Sequence, residues 1–169
     1  MADARIAFTI TVDPEHEGGF QNNPNDHANW SSGKIGEGEL IGTKYGITPA
    51  DMPGVDIKNL TPEQAIDFYI ERYWKPLYSQ ITSQLVANKL ADMGVLFGVG
   101  QAVKTLQRVV GANVDGDFGP ETLRQVNAQP EANLLKDYKI GLASLALQVA
   151  NFNPNERQFF PGWVRRINS

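Results

Sequence analysis

The chain has 169 residues, enough for one domain or two tightly packed lobes, and its hydrophobic content of 41% is sufficient for a buried core. A net charge of −4 argues against a general nucleic-acid-binding protein, which would need a basic face. The absence of cysteine excludes disulfides, thiolate metal sites and a cysteine nucleophile. No apolar run approaches the roughly 18 residues that a membrane span needs.

The first apolar segment, residues 6–12, fits two structures. Its apolar residues recur at the spacing of a helix face and also at the alternate positions of a strand. Asp13-Pro14 then either ends a helix or starts a short one that reaches Gly18. The segment is short, contains threonines and lacks a cleavage pattern, so we expect no signal peptide. We therefore expect synthesis in the cytoplasm without a signal peptide.

Residues 17–53 are rich in Gly, Asn, Asp and Pro and show no sustained periodicity. A long irregular stretch inside a compact domain is usually functional or mobile. Within it, Trp30–Gly42 contains four glycines and predicts a flexible excursion or a short hairpin. We expect any sheet to be confined to the glycine-rich stretch of residues 17–53.

Helical patterns dominate the remainder. Thr61-Pro62-Glu63-Gln64 is a capping box with proline at the first helical position. Apolar residues continue that helix at helical spacing as far as Leu77, with Pro76 marking its end. Ser83 caps a second helix, which Gly98 interrupts.

Three more helices are predicted before an aromatic tail at 159–164, which we expect to pack back on the body. The first runs from about residue 101 to 110, with Gly111 as its stop. After a turn at 115–119, Pro120 opens a short helix, and a long helix covers about 131–151. The fold class is therefore mainly α.

Glu17 is the candidate acid. It stands directly before Gly18-Gly19, where a substrate can come close to the backbone. A glycosidic bond breaks when its bridging oxygen is protonated, and a glutamate shielded from water, with its pKa raised toward neutral, can do this. Composition alone equally fits a surface glutamate at a helix end.

Asp26 and Thr43 are candidates for handling water on the far side of a sugar. Asp26 lies among turn-forming residues, so it also fits a turn cap, and Thr43 also fits a cap of the following segment. Four aromatic residues are candidate platforms for pyranose rings, although most aromatics at helical spacing are core residues. They are Tyr73, Trp74, Tyr78 and Trp163.

Metal sites are not predicted. A calcium loop counted from Asn113 would place Phe118 and Arg124 where glycine and glutamate are required. His16 and His27 lack zinc-ligand spacing and a third ligand. We therefore expect neither a metal nor another cofactor.

Two sets of motifs carry a family resemblance over nearly the whole chain. Glu17-Gly18-Gly19-Phe20, Asn23-Pro24, Asp26 and Thr43 through Thr48 resemble the signature of glycoside hydrolase family 108. The second half is similar to the helical peptidoglycan-binding region commonly joined to that family. The residues that carry this second likeness are Asp92–Gly94, Leu106-Gln107, Asp115–Thr122 and Phe160–Arg166.

The resemblance implies a lysozyme-like helical fold, with a glycine-rich loop or small hairpin beside the cleft. It implies a catalytic lobe at 1–82 and a peptidoglycan-binding-type lobe at 83–169, packed as one compact unit. The implied activity is that of an endolysin-type N-acetylmuramidase acting on peptidoglycan. Glu17 would be the general acid, Asp26 and Thr43 would handle water, and Tyr45 would line the cleft. We expect a monomer, which is released to the cell wall by a route other than a signal peptide, such as a phage holin.

Two alternatives remain open. A lytic transglycosylase uses the same acid, but the C6 hydroxyl of muramic acid closes an anhydro ring without water. A non-catalytic wall-binding or secretion-associated module would rest on the Asp115–Thr122 segment alone.

Overall fold

The computed structural model describes residues 1–13, 19–154 and 156–169, which form two compact units. Phe8–Arg72 forms one, called here the loop-rich unit, and Met1–Ala7 with Tyr73–Ser169 forms the other, called the helical unit. The expected lobes at 1–82 and 83–169 were assigned by function. A division of the fold into compact units does not test such an assignment, so the lobes stay a prediction.

The described chain is mainly α-helical, as expected. Its helices are α1 (Ala4–Thr11), α2 (Pro62–Tyr73), α3 (Gln84–Phe97), α4 (Val99–Val110), α5 (Pro120–Asn127), α6 (Glu131–Phe152) and α7 (Phe160–Asn168). Short 3₁₀ turns lie at His27–Asn29, Ile57–Asn59, Pro76–Gln80 and Arg157–Phe159. The N-terminal segment is thus a helix rather than a strand.

The helix boundaries follow the local signals. Thr61 and Gln64 form the reciprocal capping box, in which the Thr61 N–H donates to Gln64 Oε1 at 2.9 Å and the Gln64 N–H donates to Thr61 Oγ1 at 3.2 Å. Helix α2 ends at Tyr73, so the continuation to Leu77 was wrong. Lys75 is extended before Pro76, as the residue preceding a proline tends to be, and Leu77 lies in the next 3₁₀ turn.

The loop-rich unit has a small sheet and several buried apolar side chains. Strands β1 (Phe20–Gln21) and β2 (Thr43–Lys44) are antiparallel, with Phe20 opposite Lys44 and Gln21 opposite Thr43. Between them the Trp30–Leu40 bridge closes the predicted hairpin. The buried apolar side chains of this unit are Phe8, Val12, Ile47, Ile57, Leu60, Ala65, Ile66 and Tyr69.

The helical unit has the larger apolar core, to which α3, α4 and α6 contribute most. Fully buried members include Leu90 and Met93 on α3, Leu106 on α4 and Leu142 on α6. The aromatic tail packs as expected, because the Trp163 ring lies edge-on to Phe97 at a centroid distance of 5.6 Å. Within the described residues, every helix is too short or too polar to cross a membrane.

Candidate active site

The proposed acid, Glu17, lies outside the residues that the structure describes. The site is therefore built from the other candidates, of which Asp26, Thr43 and Tyr45 belong to the loop-rich unit. Tyr73, Trp74 and Trp163 belong to the helical unit.

Asp26 is a helix cap whose carboxylate has a fixed orientation. Its Oδ1 accepts a hydrogen bond from the Ala28 N–H at 3.0 Å and caps the 3₁₀ turn His27–Asn29. Its Oδ2 accepts one from Gln21 Nε2 at 3.1 Å. A carboxylate has about four lone-pair sites, so two remain for a water molecule or a sugar hydroxyl.

Thr43 lies beside Asp26 because the β1–β2 pairing places Gln21 opposite Thr43. The Thr43 hydroxyl is buried and directs its proton at the Ala28 carbonyl, 3.4 Å away. Asp26 and Thr43 therefore bond to the two polar backbone groups of the same residue. The lone pairs of the Thr43 oxygen remain able to accept a hydrogen bond from water.

Gly42 makes this strand pairing possible. Its φ is +97°, and a Cβ there would lie 2.6 Å from the Phe20 ring and 2.8 Å from the Gln21 carbonyl oxygen. Real Cβ contacts are not that short, so a side chain at this position would push β1 away from β2. The glycine thereby sets the position of Thr43 relative to Gln21.

Asn29 ties together the chain around Asp26 and Thr43. It is fully buried, and its Nδ2 donates to Gln21 Oε1 at 2.7 Å and to the Asn23 carbonyl at 3.0 Å. Its own carbonyl accepts the N–H groups of Ile41 and Gly42. Among the described residues, its Oδ1 has no hydrogen-bond partner.

Tyr45 occupies a strained backbone position. Tyr45-Gly46 forms a two-residue turn closed by hydrogen bonds between Lys44 and Ile47, and both central residues have positive φ, at 53° and 72°. That geometry is typical of a type I′ turn, where a bulky residue is unusual. The Tyr69 hydroxyl holds the turn by donating to the Tyr45 carbonyl at 2.5 Å. Because such strain often marks ligand contacts, the half-exposed Tyr45 ring stays a predicted contact of the substrate.

Thr48, the last residue of the Thr43–Thr48 motif, has a structural role. Its hydroxyl donates to Asp51 Oδ2 at 2.9 Å, and its N–H donates to the same oxygen at 3.1 Å. The other oxygen of Asp51 pairs with Arg72 at 3.2 Å, at the end of α2. The motif therefore fixes the loop after the Tyr45 turn.

Of the aromatic candidates, Tyr78 is a core residue rather than a sugar platform. It is buried and packs edge-on against Phe118, with the ring centroids 5.0 Å apart. Trp74 is half-buried and donates from Nε1 to Ser79 Oγ at 3.1 Å. Tyr73 and Trp163 are also half-buried, so these three rings stay predicted substrate contacts.

The second-half motifs form internal contacts of the helical unit. Gln107 is buried on α4, and its Nε2 donates to Asp115 Oδ1 at 2.8 Å while its Oε1 accepts the Gly116 N–H at 2.9 Å. The Gln107 amide, first among several hydrogen bonds, holds the pKa of Asp115 below its usual value. The turn into α5 is confirmed. Within the described residues, no group of three His, Cys, Asp or Glu side chains could hold a metal ion.

Gln21 and Asn29 are the site residues that sequence reasoning missed. Both are amides in a glycine- and asparagine-rich stretch, and no local pattern separates them from turn residues such as Asn22 and Asn25. Only the register of β1 against β2 reveals that they orient the Asp26 carboxylate.

Comparisons with known proteins cover both halves of the chain. Residues 11–98 match the family described as Glycosyl hydrolase 108, and residues 101–168 match the family described as Predicted Peptidoglycan domain. Among solved structures, SagA of Brucella abortus is similar, with a TM-score of 0.71 and 24% identity over 98% of this chain and 89% of the SagA chain. At that identity the likeness shows the fold alone. No curated protein matches the chain.

Proposed function

Because the chain belongs to glycosyl hydrolase family 108 and is a peptidoglycan-hydrolysing glycosidase, we propose that it is an N-acetylmuramidase. Its bond would be the β-1,4 linkage between N-acetylmuramic acid and N-acetylglucosamine. Glu17 is the general acid, since protonation of the bridging oxygen is the step that a poor alkoxide leaving group requires.

The arrangement of Asp26 and Thr43 is the observation that supports hydrolysis. The two side chains share Ala28 as a hydrogen-bond partner, and each keeps lone pairs for a further ligand. Asp26 accepts a proton from water as the oxygen of that water attacks the anomeric carbon. Thr43 accepts the second proton of the same water in a hydrogen bond and so fixes its direction. The turn that carries Tyr45 adjoins β2 and supplies an aromatic face for a sugar ring.

The same arrangement favours a hydrolase over a lytic transglycosylase. In a transglycosylase the C6 hydroxyl of muramic acid is the nucleophile, so a fixed pair of water acceptors has no role. Family membership likewise disfavours a module that binds the wall without cleaving it.

Product analysis on purified sacculi tests the proposal. The native protein should release fragments whose new reducing end is N-acetylmuramic acid, which borohydride converts to muramitol. The Glu17→Gln variant should lose at least about a hundredfold in rate while retaining its circular dichroism spectrum and its sedimentation with sacculi. Glu15→Gln, which removes a neighbouring carboxylate from the same segment, is the matched control and should keep native activity.

Each contrary result has a defined meaning. New reducing ends of N-acetylglucosamine would contradict the muramidase assignment, and 1,6-anhydro ends would contradict hydrolysis. Native activity in Glu17→Gln would remove Glu17 from the chemistry. The endolysin role, the monomeric state and release through a holin stay predictions from the sequence.

A further inference from the structure

The helical unit has a groove between α4 and α6 that the proposed active site does not use. The groove has a volume of about 430 Å³. Its walls include Thr105 and Arg108 from α4 and Asp137, Ile140, Ser144 and Gln148 from α6. All of these residues fall within 101–168, the part of the chain that matches the Predicted Peptidoglycan domain.

Gly141 creates the floor of this groove. A Cβ at this position would lie 2.9 Å from Thr105 Cγ2, so the two helices can approach this closely only because position 141 has no side chain. The Thr105 hydroxyl is satisfied within α4 by donating to the Gln101 carbonyl at 2.9 Å. The methyl group of Thr105, with half-buried Val109 and Leu145 beside it, gives the floor apolar surface.

The groove also presents opposite charges that are not paired. Arg108 and Asp137 make no hydrogen bond or ion pair with each other or with any other residue that the structure describes. By contrast, Glu121 and Arg124 on nearby α5 form a close pair at 2.7 Å. The groove thus offers one cation and one anion to a ligand.

Its remaining lining suits a peptide. The Ser144 and Gln148 side chains likewise have no partner among the described residues, so they can bond to amide groups. Ile140 is 60% exposed at the rim and can cover an aliphatic side chain. A ligand that satisfies this lining carries a carboxylate, an ammonium group, amides and short alkyl groups.

We propose that this groove binds the peptide stem of peptidoglycan rather than its glycan. The stem contains free carboxylates, amides, alanine methyl groups and, in many walls, the ammonium group of a diamino acid, whereas the glycan has no ammonium group. Arg108 binds a stem carboxylate, Asp137 binds the ammonium, and Gln148 and Ser144 bind the peptide amides. The assignment rests on the proposed function only in taking peptidoglycan as the substrate.

Calorimetry with the tripeptide L-alanyl-γ-D-glutamyl-meso-diaminopimelate tests the groove directly. The native protein should bind it, and Arg108→Ala and Asp137→Asn should each weaken binding about tenfold, since each removes one charge-assisted contact. Lys136→Ala, which removes an exposed charge of α6 outside the groove, is the matched control and should bind as the native protein does.

A second binding experiment tests the contact between Asp137 and the ammonium group. Acetylation of the side-chain amine of the tripeptide should weaken its binding to the native protein about tenfold but change its binding to Asp137→Asn little, because the same contact is already lost. Peptide-free glycan strands, prepared with an amidase, should bind native protein and Arg108→Ala equally weakly.

The failures of this inference and of the muramidase proposal are distinguishable. Unchanged tripeptide binding in both groove variants, or tighter binding of peptide-free strands than of the tripeptide, would overturn the groove assignment without affecting the muramitol assay. Tripeptide binding lost in the groove variants, together with no muramitol from the native protein, would support the groove and overturn the muramidase proposal.

Discussion

The two units use buried polar groups in opposite ways. In the helical unit, Asp92 on α3 and Arg166 on α7 form a pair that is only 3% and 8% exposed, and Gln107 joins α4 to the turn before α5. In the loop-rich unit, the buried amide of Asn29 instead holds Gln21, which in turn orients the partly exposed carboxylate of Asp26.

This difference separates contacts that stabilise the fold from contacts that affect turnover. A buried contact that ends on another helix stabilises the packing of the unit, and its loss should reduce the free energy of unfolding. A contact that ends on a functional carboxylate at the surface should instead change turnover when it is lost. Three variants can break or sharpen this distinction.

The largest effect is expected for Asp92→Asn. Removing one partner of a buried pair takes away the negative charge that faces Arg166, and Lys89 on the same helix adds a second cation. We expect the free energy of unfolding in urea to fall by about 3–5 kcal/mol. The control is Glu121→Gln, which breaks an exposed pair with Arg124 and should have no measurable effect. Equal losses in the two variants would contradict a special role for the buried pair.

The next effect is expected for Gln21→Ala. The variant removes the donor to Asp26 Oδ2 and one acceptor of Asn29 Nδ2, which keeps its hydrogen bond to the Asn23 carbonyl, and Gln21 itself is exposed. We expect kcat on sacculi to fall about tenfold with KM unchanged, because an orientation effect acts on the chemical step. The melting temperature should stay within a few degrees of the native value. Gln21→Glu, which sets a second carboxylate against Asp26, should lose more.

Asn22→Ala is the matched control for Gln21. Asn22 is exposed next to it, and the described structure gives its side chain no hydrogen bond. A similar fall in kcat for both variants would show that the segment, rather than the amide of Gln21, matters for turnover.

The smallest effect concerns Lys89. Burial lowers the pKa of its ammonium group to about 8, because desolvation outweighs the attraction of Asp92. The unfolded chain keeps the ordinary value of 10.5, so between pH 8 and 10.5 it binds more protons than the folded chain. The free energy of unfolding should therefore rise from pH 8 toward pH 10, by about 1 kcal/mol per pH unit. This gain should be lost as pH falls through 8.

Urea titrations at pH 7.5, 8.5 and 9.5 measure this rise. Lys89→Met should abolish it, and Lys136→Met, at an exposed lysine of α6, should keep it. Above about pH 10 the trend reverses, because burial raises the pKa of Tyr78 and Tyr138 and only the unfolded chain then ionises them. If the free energy of unfolding still rises with pH in Lys89→Met, the group responsible is not Lys89.

The sequence predicted those parts of the fold that depend on neighbouring residues. Thr61 with Gln64, Ser83 and Pro120 each mark a helix start through contacts within four positions, and all three starts are confirmed. The boundary between α3 and α4 was less accurate, since α4 begins at Val99 rather than near residue 101.

The candidate site was less predictable. Asp26 and Thr43 meet through Ala28, two and fifteen residues away from them, and this requires the register that Gly42 permits. No pattern in the sequence around Asn29 predicts that its side chain is buried. The role of Glu17, outside the described residues, rests on the motif and stays a prediction.

Gly98 alone separates α3 from α4, being the C-terminal cap of one and the N-terminal cap of the other. The two family matches meet at this corner, with one ending at residue 98 and the other beginning at 101. Yet both helices contribute to one apolar core. The boundary between the two family matches is thus a poor place to divide the chain. A fragment that ends there would expose Leu90 and Met93 to water. Exchange of either segment between proteins would have to preserve the interior that the two share.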